Sequence, residues 1–229
     1  MYNNLTILSN DVKKCKRCEL YKQNSGDFEP MSGIIKGNGS VFFLLERPTL
    51  DNVILEDFSI TLSDKIVNKI IEQLKIKDYY ITYTLKCASE EYKKSHLNSC
   101  HHWLKEEIEL IKPKLIIAFG VTPLSSLFDI KFKLKDVVNQ IYSVNINNHY
   151  YKFLAQYSTN YLLQAGKKIY DKETWLGRGY LTPELKQELE FTLFKAIKQS
   201  LGEEMVKVAL KYKKDLVFNY LYTRRLFSA

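Results

Sequence analysis

The chain is poor in the side chains on which most metal and acid–base sites depend, with four cysteines and four histidines among 229 residues. It has no apolar run near the roughly twenty residues that cross a bilayer, so no membrane partner is expected. Its opening residues, Met-Tyr-Asn-Asn-Leu-Thr, lack the basic start and apolar stretch of a secretory signal, which predicts a cytoplasmic protein. Phosphate-binding loops, nucleophile elbows, H-E-x-x-H pairs and internal repeats are missing as well, leaving nothing on which to base a nucleotide cofactor or a hydrolase reading. Positive charge is abundant. A net charge of +8 and a pI near 9.1 favour a polyanionic partner. The abundance of lysine, asparagine, isoleucine and tyrosine points to an AT-rich genome, such as that of a bacteriophage or a low-GC bacterium, so the expected compartment is a bacterial or phage-infected cell.

The scarce cysteines are placed suggestively. Cys15 and Cys18 form a C-x-x-C within the polar run Lys13-Lys14-Cys15-Lys16-Arg17-Cys18-Glu19, which is no core segment, while Cys87 and Cys100 lie far downstream. A reducing compartment argues against disulfides. Four thiolates suit zinc or an iron-sulfur cluster, and His101 and His102 stand beside Cys100, so both metals remain open on spacing alone.

Hydrophobic patterning predicts alternating elements. Ser40 to Glu46, Asp78 to Leu85 and Lys114 to Phe119 read as buried strands, with helices over Leu62 to Leu74, over Ser95 to Ile111 and from about Thr122-Pro123. Val144 to Ile146 and Tyr151 to Leu154 read as a hairpin across Asn147-Asn148-His149. The fold class is therefore α/β, a three-layer α/β/α arrangement around a mostly parallel four-stranded sheet. Residues 1–180 are assigned to this domain. A C-terminal helical extension at 181–229 begins at Thr182-Pro183 and carries a lysine-rich second helix from Glu203 to Arg225, a surface that would suit DNA or a protein partner.

Several segments together resemble the iron-sulfur, family four type of uracil-DNA glycosylase. They are Cys15-x-x-Cys18-Glu19-Leu20, the strand Tyr80-Ile81-Thr82-Tyr83-Thr84-Leu85-Lys86-Cys87, and Cys100-His101-His102-Trp103-Leu104 leading into Pro113-Lys114-Leu115-Ile116-Ile117-Ala118-Phe119-Gly120. The likeness spans roughly residues 10–165. It implies that Cys15, Cys18, Cys87 and Cys100 hold a [4Fe-4S] cluster, with zinc the alternative, and that DNA is the partner.

The resemblance thins at the active-site motifs. The family's Gly-Glu-Ala/Gly-Pro-Gly loop appears as Leu45-Glu46-Arg47-Pro48-Thr49, keeping Glu46 and Pro48 and losing both glycines. Phe58 stands where the family stacks an aromatic ring on the base, or else is an ordinary core phenylalanine. Tyr83 replaces an asparagine that reads the uracil edge, and its bulk would fill the uracil site. Ala88-Ser89-Glu90 replaces Arg-Pro-Pro. Ser158 holds the position of a histidine that stabilises the departing base, and losing such a donor costs about a hundredfold or more in rate. The expected base pocket is thus Pro48, Phe58 and Tyr83, with Glu46 the remaining catalytic candidate. His96, His101, His102 and His149 are expected on the surface or in loops. Lys13, Lys14, Lys16, Arg17, Lys86, Lys93 and Lys94 are expected to form a phosphate track around the cysteines. Two functions follow: a scaffold that binds DNA without excising uracil, or a glycosylase of altered base specificity that uses Glu46.

Overall fold

The computed structural model describes residues 4–23, 28–128 and 133–162. The C-terminal extension lies outside these residues. The element order is α1 (Leu5–Lys13), a 3-10 turn (Glu19–Gln23), β1 (Ile34–Lys36), β2 (Val41–Leu45), α2 (Leu50–Leu55), α3 (Leu62–Gln73), β3 (Tyr79–Tyr83), α4 (Lys94–Ile111), β4 (Leu115–Phe119), α5 (Val121–Leu127), α6 (Leu134–Val137), β5 (Ile141–Ile146) and β6 (His149–Gln156).

The strands form one sheet in the order β1-β3-β2-β4-β6-β5. The four central strands, β3, β2, β4 and β6, are mutually parallel, as the patterning predicts. Two antiparallel edges enlarge the sheet from four strands to six. One edge, β5, is the first arm of the predicted hairpin. The other, β1, is three exposed residues paired with β3, too short to carry a periodic signal.

The pleat sorts the core into two layers. Val41, Phe43 and Leu45 of β2 face α3 through Ile66, Val67 and Ile70, and Phe42 and Leu44 face α4 through Leu104 and Ile108. Both faces of β2 and β4 are fully buried, which is why these strands read as continuous apolar runs rather than alternating ones. The chain leaves β2 to one side and returns to its other side at β4, so the carboxyl ends of these neighbours open at a topological switch point, where α/β sheets place their ligands.

Candidate functional site

The carboxyl ends of the parallel strands line a cavity of about 1030 Å³. Leu45, Tyr83 and Phe119 end their strands in its wall, and the loops beyond contribute Glu46, Arg47, Pro48, Ser89, Glu90, Glu91, Ser158, Thr159 and Asn160. The loop after β2 turns into α2 through a capping box in which the Thr49 side chain accepts from the Asn52 N–H and Asn52 accepts from the Thr49 N–H.

Glu46 points toward the loop that joins the third and fourth cysteines. The Tyr92 hydroxyl donates to Glu46 Oε1 at 2.8 Å and stands 2.8 Å from Thr122 Oγ1. The Arg47 guanidinium lies 5.3 Å above the Tyr92 ring and donates to the carbonyls of Ser89 and Glu90. Burial raises the Tyr92 pKa; the hydrogen bond with Thr122 opposes that shift, and the hydrogen bond to Glu46 adds to it. Arg47 and Tyr92 thus strap the loop after Cys87 to the loop after β2. The sequence offers no periodic or motif signal for Tyr92.

Tyr83 lines the cavity at the end of β3. Its ring stacks on Phe58 with centroids 4.8 Å apart and planes 11° from parallel. Its hydroxyl donates to Asp64 Oδ1 at 2.9 Å. Asp64 Oδ2 accepts in turn from Asn52 Nδ2, from the Thr61 N–H and from the Thr61 hydroxyl. Burial, and after it the charge of Asp64, holds the Tyr83 phenol far above its ordinary range, so the ring is a fixed neutral wall. Phe58 is buried in the core and absent from the cavity lining, because Tyr83 covers its exposed face. Pro48 lines the cavity. The Asp64 clasp is legible in the sequence only as a helix cap, Thr61-x-x-Asp64.

Ser158 also lines the cavity, and its hydroxyl accepts from the Tyr161 N–H at 3.1 Å. Gly120 makes this approach possible. A side chain there would bring Cβ within 3.0 Å of Ser158 Cβ at a φ of +104°. None of the four histidines lines the cavity. His149 is exposed at the start of β6, and His101 and His102 are half-buried on α4. His96 is not the surface residue expected. It is buried, its Nδ1 accepts from the Lys93 N–H, and its Nε2–H therefore donates to Glu19 Oε1 at 2.8 Å. That hydrogen bond lowers the Glu19 pKa.

The His96–Glu19 contact ties the two cysteine segments together. All four cysteines, drawn from the N-terminal loop, the end of the β3 segment and α4, line one small cavity with Arg17, Tyr21, Lys86 and Ser99. They form no disulfide; Cys87 and Cys100 are buried, Cys15 and Cys18 half-buried. The Trp103 indole N–H donates to Cys15 Sγ at 3.2 Å. Burial pushes the Cys100 thiol up to about 11, against the Lys86 N–H and ammonium, and raises Cys18 as well. Among the described residues no three His, Cys, Asp or Glu side chains stand together at metal-binding separation. Four sulfur donors around one small cavity, with cations beside it, suit a thiolate-bound metal centre in number and in chemistry.

Of the expected phosphate track, Lys14, Lys16, Arg17, Lys93 and Lys94 are exposed or half-buried. Lys13 reaches Glu56 at 2.6 Å and Glu29 at 3.8 Å. Lys86 does not belong to a surface at all. Its side chain is 1% exposed, and its ammonium donates to Thr82 Oγ1, Glu107 Oε1 and Glu107 Oε2 at 2.6–2.8 Å, with the Tyr80 hydroxyl also on Glu107. At this position the lysine turns under α4, where only an ion pair makes burial tolerable.

A sequence model of the Uracil DNA glycosylase superfamily matches residues 33–179, well over half the chain, including the cavity loops and the two downstream cysteines. The chain belongs to this superfamily. It is also 25% identical over 132 residues to a type-4 uracil-DNA glycosylase of Saccharolobus solfataricus, an alignment covering 55% of this chain and 60% of that protein. This type is the one that the cysteine and strand motifs resemble. The cavity at the carboxyl ends of the strands carries the residues at the resemblance's base-site positions, here Tyr83 and Ser158. No helix among the described residues is long and apolar enough to cross a membrane.

Proposed function

We propose that this superfamily member binds DNA without excising uracil, serving in the cytoplasm as an accessory or scaffold in replication or repair. The stack of Tyr83 on Phe58 carries this reading, since the aromatic face expected to receive a base is already taken by the chain's own side chain. The chemistry of the lining agrees. Uracil leaves as an anion, and the cavity offers it Glu46, Asp64, Glu90 and Glu91 against Arg47, whose guanidinium is committed to two carbonyls. Ser158 supplies a neutral hydroxyl that is already accepting from backbone. Base release from uracil-containing single- and double-stranded oligonucleotides is the test. Release by the native protein above the level of a Glu46→Ala variant refutes the scaffold; retained DNA binding without release upholds it.

The room left beside Glu46 favours a second reading, an enzyme in which this carboxylate activates water against a different base. Release of hypoxanthine or xanthine that disappears in Glu46→Ala would establish it.

Under either reading Cys15, Cys18, Cys87 and Cys100 hold a [4Fe-4S] cluster, with zinc the alternative. Bound there, the cluster cross-links the N-terminal loop, the β3 segment and α4 and supplies no step of base excision. The cations beside it, Lys14, Lys16, Arg17, Lys93 and Lys94, are assigned to DNA phosphates. Iron and zinc content, with the visible absorbance of anaerobically purified protein, separates the two metals.

A further inference from the structure

The cavity is acid-lined in a protein whose net charge is +8. Glu46 has one partner among the described residues, the Tyr92 hydroxyl on Oε1, which leaves Oε2 open. The carboxylates of Glu90 and Glu91 are exposed at the same wall and make no ion pair among the described residues. Thr159 adds an observation of a different kind. It lines the same cavity at 8% exposure, and its hydroxyl has no hydrogen-bond partner among the described residues, a state that a buried polar group keeps when something else is there to satisfy it. Tyr83 is only 2% exposed and its hydroxyl is spent on Asp64, so it brings neither the donor nor the acceptor of an amide. Four carboxylates, Glu46, Asp64, Glu90 and Glu91, stand in the wall against one cation, Arg47, whose guanidinium donates to two carbonyls, and the other polar groups of the lining, Ser158, Thr159 and Asn160 among them, are neutral. A volume of about 1030 Å³ is large enough for a purine, given that small-molecule sites run about 300–1,000 Å³.

From this lining we infer that the cavity receives an unpaired purine carrying a formal positive charge, of the kind that N7-alkylation of guanine produces in DNA. The inference rests on the reading that the cavity faces DNA. A cationic ring gains from the charge of these carboxylates where a neutral uracil does not. The cavity then sorts bases by charge, and the phosphate-binding surface supplies the remaining affinity.

The experiment uses the full chain and fluorescence anisotropy at one fixed salt concentration. The probes are oligonucleotides identical except for one unpaired residue: 7-methylguanine, guanine or uracil. The guanine probe controls for ring size. An exposed charge pair at contact distance is worth about fivefold in affinity, so 7-methylguanine is expected to bind at least that much more tightly than the other two. Glu46→Gln, and separately the pair Glu90→Gln with Glu91→Gln, are expected to reduce the ratio of 7-methylguanine to guanine affinity. Equal binding of the three probes, or a preference that survives both sets of substitutions, overturns the inference while the DNA-binding reading stands. Failure to bind any probe overturns both.

Discussion

Replacing Lys86 with methionine would strip a buried carboxylate of its cation. The ammonium has three N–H donors and three acceptors within 2.6–2.8 Å, two of them the oxygens of Glu107, and both side chains are 1% exposed. In Lys86→Met, Glu107 keeps only the Tyr80 and Thr82 hydroxyls, at 3.0 and 3.1 Å, too little to offset the desolvation of an unpaired charge. Breaking one side of such a pair costs about 3–5 kcal/mol, which for a domain of this size lowers the melting temperature by roughly 6–20 °C. The double variant Lys86→Met with Glu107→Leu removes both charges and is expected to recover most of that deficit, because an apolar pair of similar volume is about as stable as a buried ion pair. Thermal unfolding followed by circular dichroism at neutral pH measures all three proteins. A destabilisation below about 1 kcal/mol in the single variant, or a double variant no more stable than the single, would refute the assignment of Lys86 as a buried structural cation.

Tyr83→Phe keeps the stack on Phe58 and deprives Asp64 Oδ1 of its donor; a destabilisation of about 1–3 kcal/mol by urea unfolding is expected, and none at all would mean the clasp is idle. Asp78 accepts from the backbone N–H groups of Asn38, Gly39 and Ser40 and from the Ser40 hydroxyl; burial works against its ionisation, and these hydrogen bonds outweigh that and hold its pKa low. Its stabilising share is therefore complete above the ordinary carboxylate pKa of about 4 and fades as pH falls through and below that value, so the stability gap between native protein and Asp78→Asn should close in acid. Cys100→Ser is expected to cut bound iron sharply by elemental analysis, and iron content equal to that of the native protein would remove Cys100 from the ligand set. Charge reversal at Lys16 and Arg17 should lower the salt slope of DNA binding by about one for each phosphate the protein no longer neutralises; an unchanged slope excludes these residues from the DNA surface.

Legibility in the sequence follows the period of burial. Strands buried on both faces, such as Val41–Leu45 and Leu115–Phe119, announce themselves as apolar runs between glycine and proline, and α4 shows its inner stripe through Leu104 and Ile108. The edge strand Ile34–Lys36 and the short helices Leu5–Lys13 and Leu50–Leu55 escape, because three to nine residues resting partly in solvent hold too few turns or alternations to establish a period. The cavity is half legible. Glu46, Pro48, Tyr83 and Ser158 stand at motif positions, whereas Tyr92, which holds Glu46 from behind, belongs to no motif and comes from a separate loop.

The sequence by itself determined the layered α/β plan and the gathering of four cysteines as a candidate set, since both follow from local periodicity and residue type. Only tertiary structure decided how the charged and aromatic side chains are spent. Lys86 reads as a surface cation and is buried on Glu107, His96 reads as a loop residue and is buried against Glu19, and Tyr83 reads as an obstruction and proves to be clasped between Phe58 and Asp64. Each outcome depends on partners 19 to 77 residues away in the chain. The free energy of a polar group is fixed by what surrounds it after folding, and no window of sequence contains those neighbours.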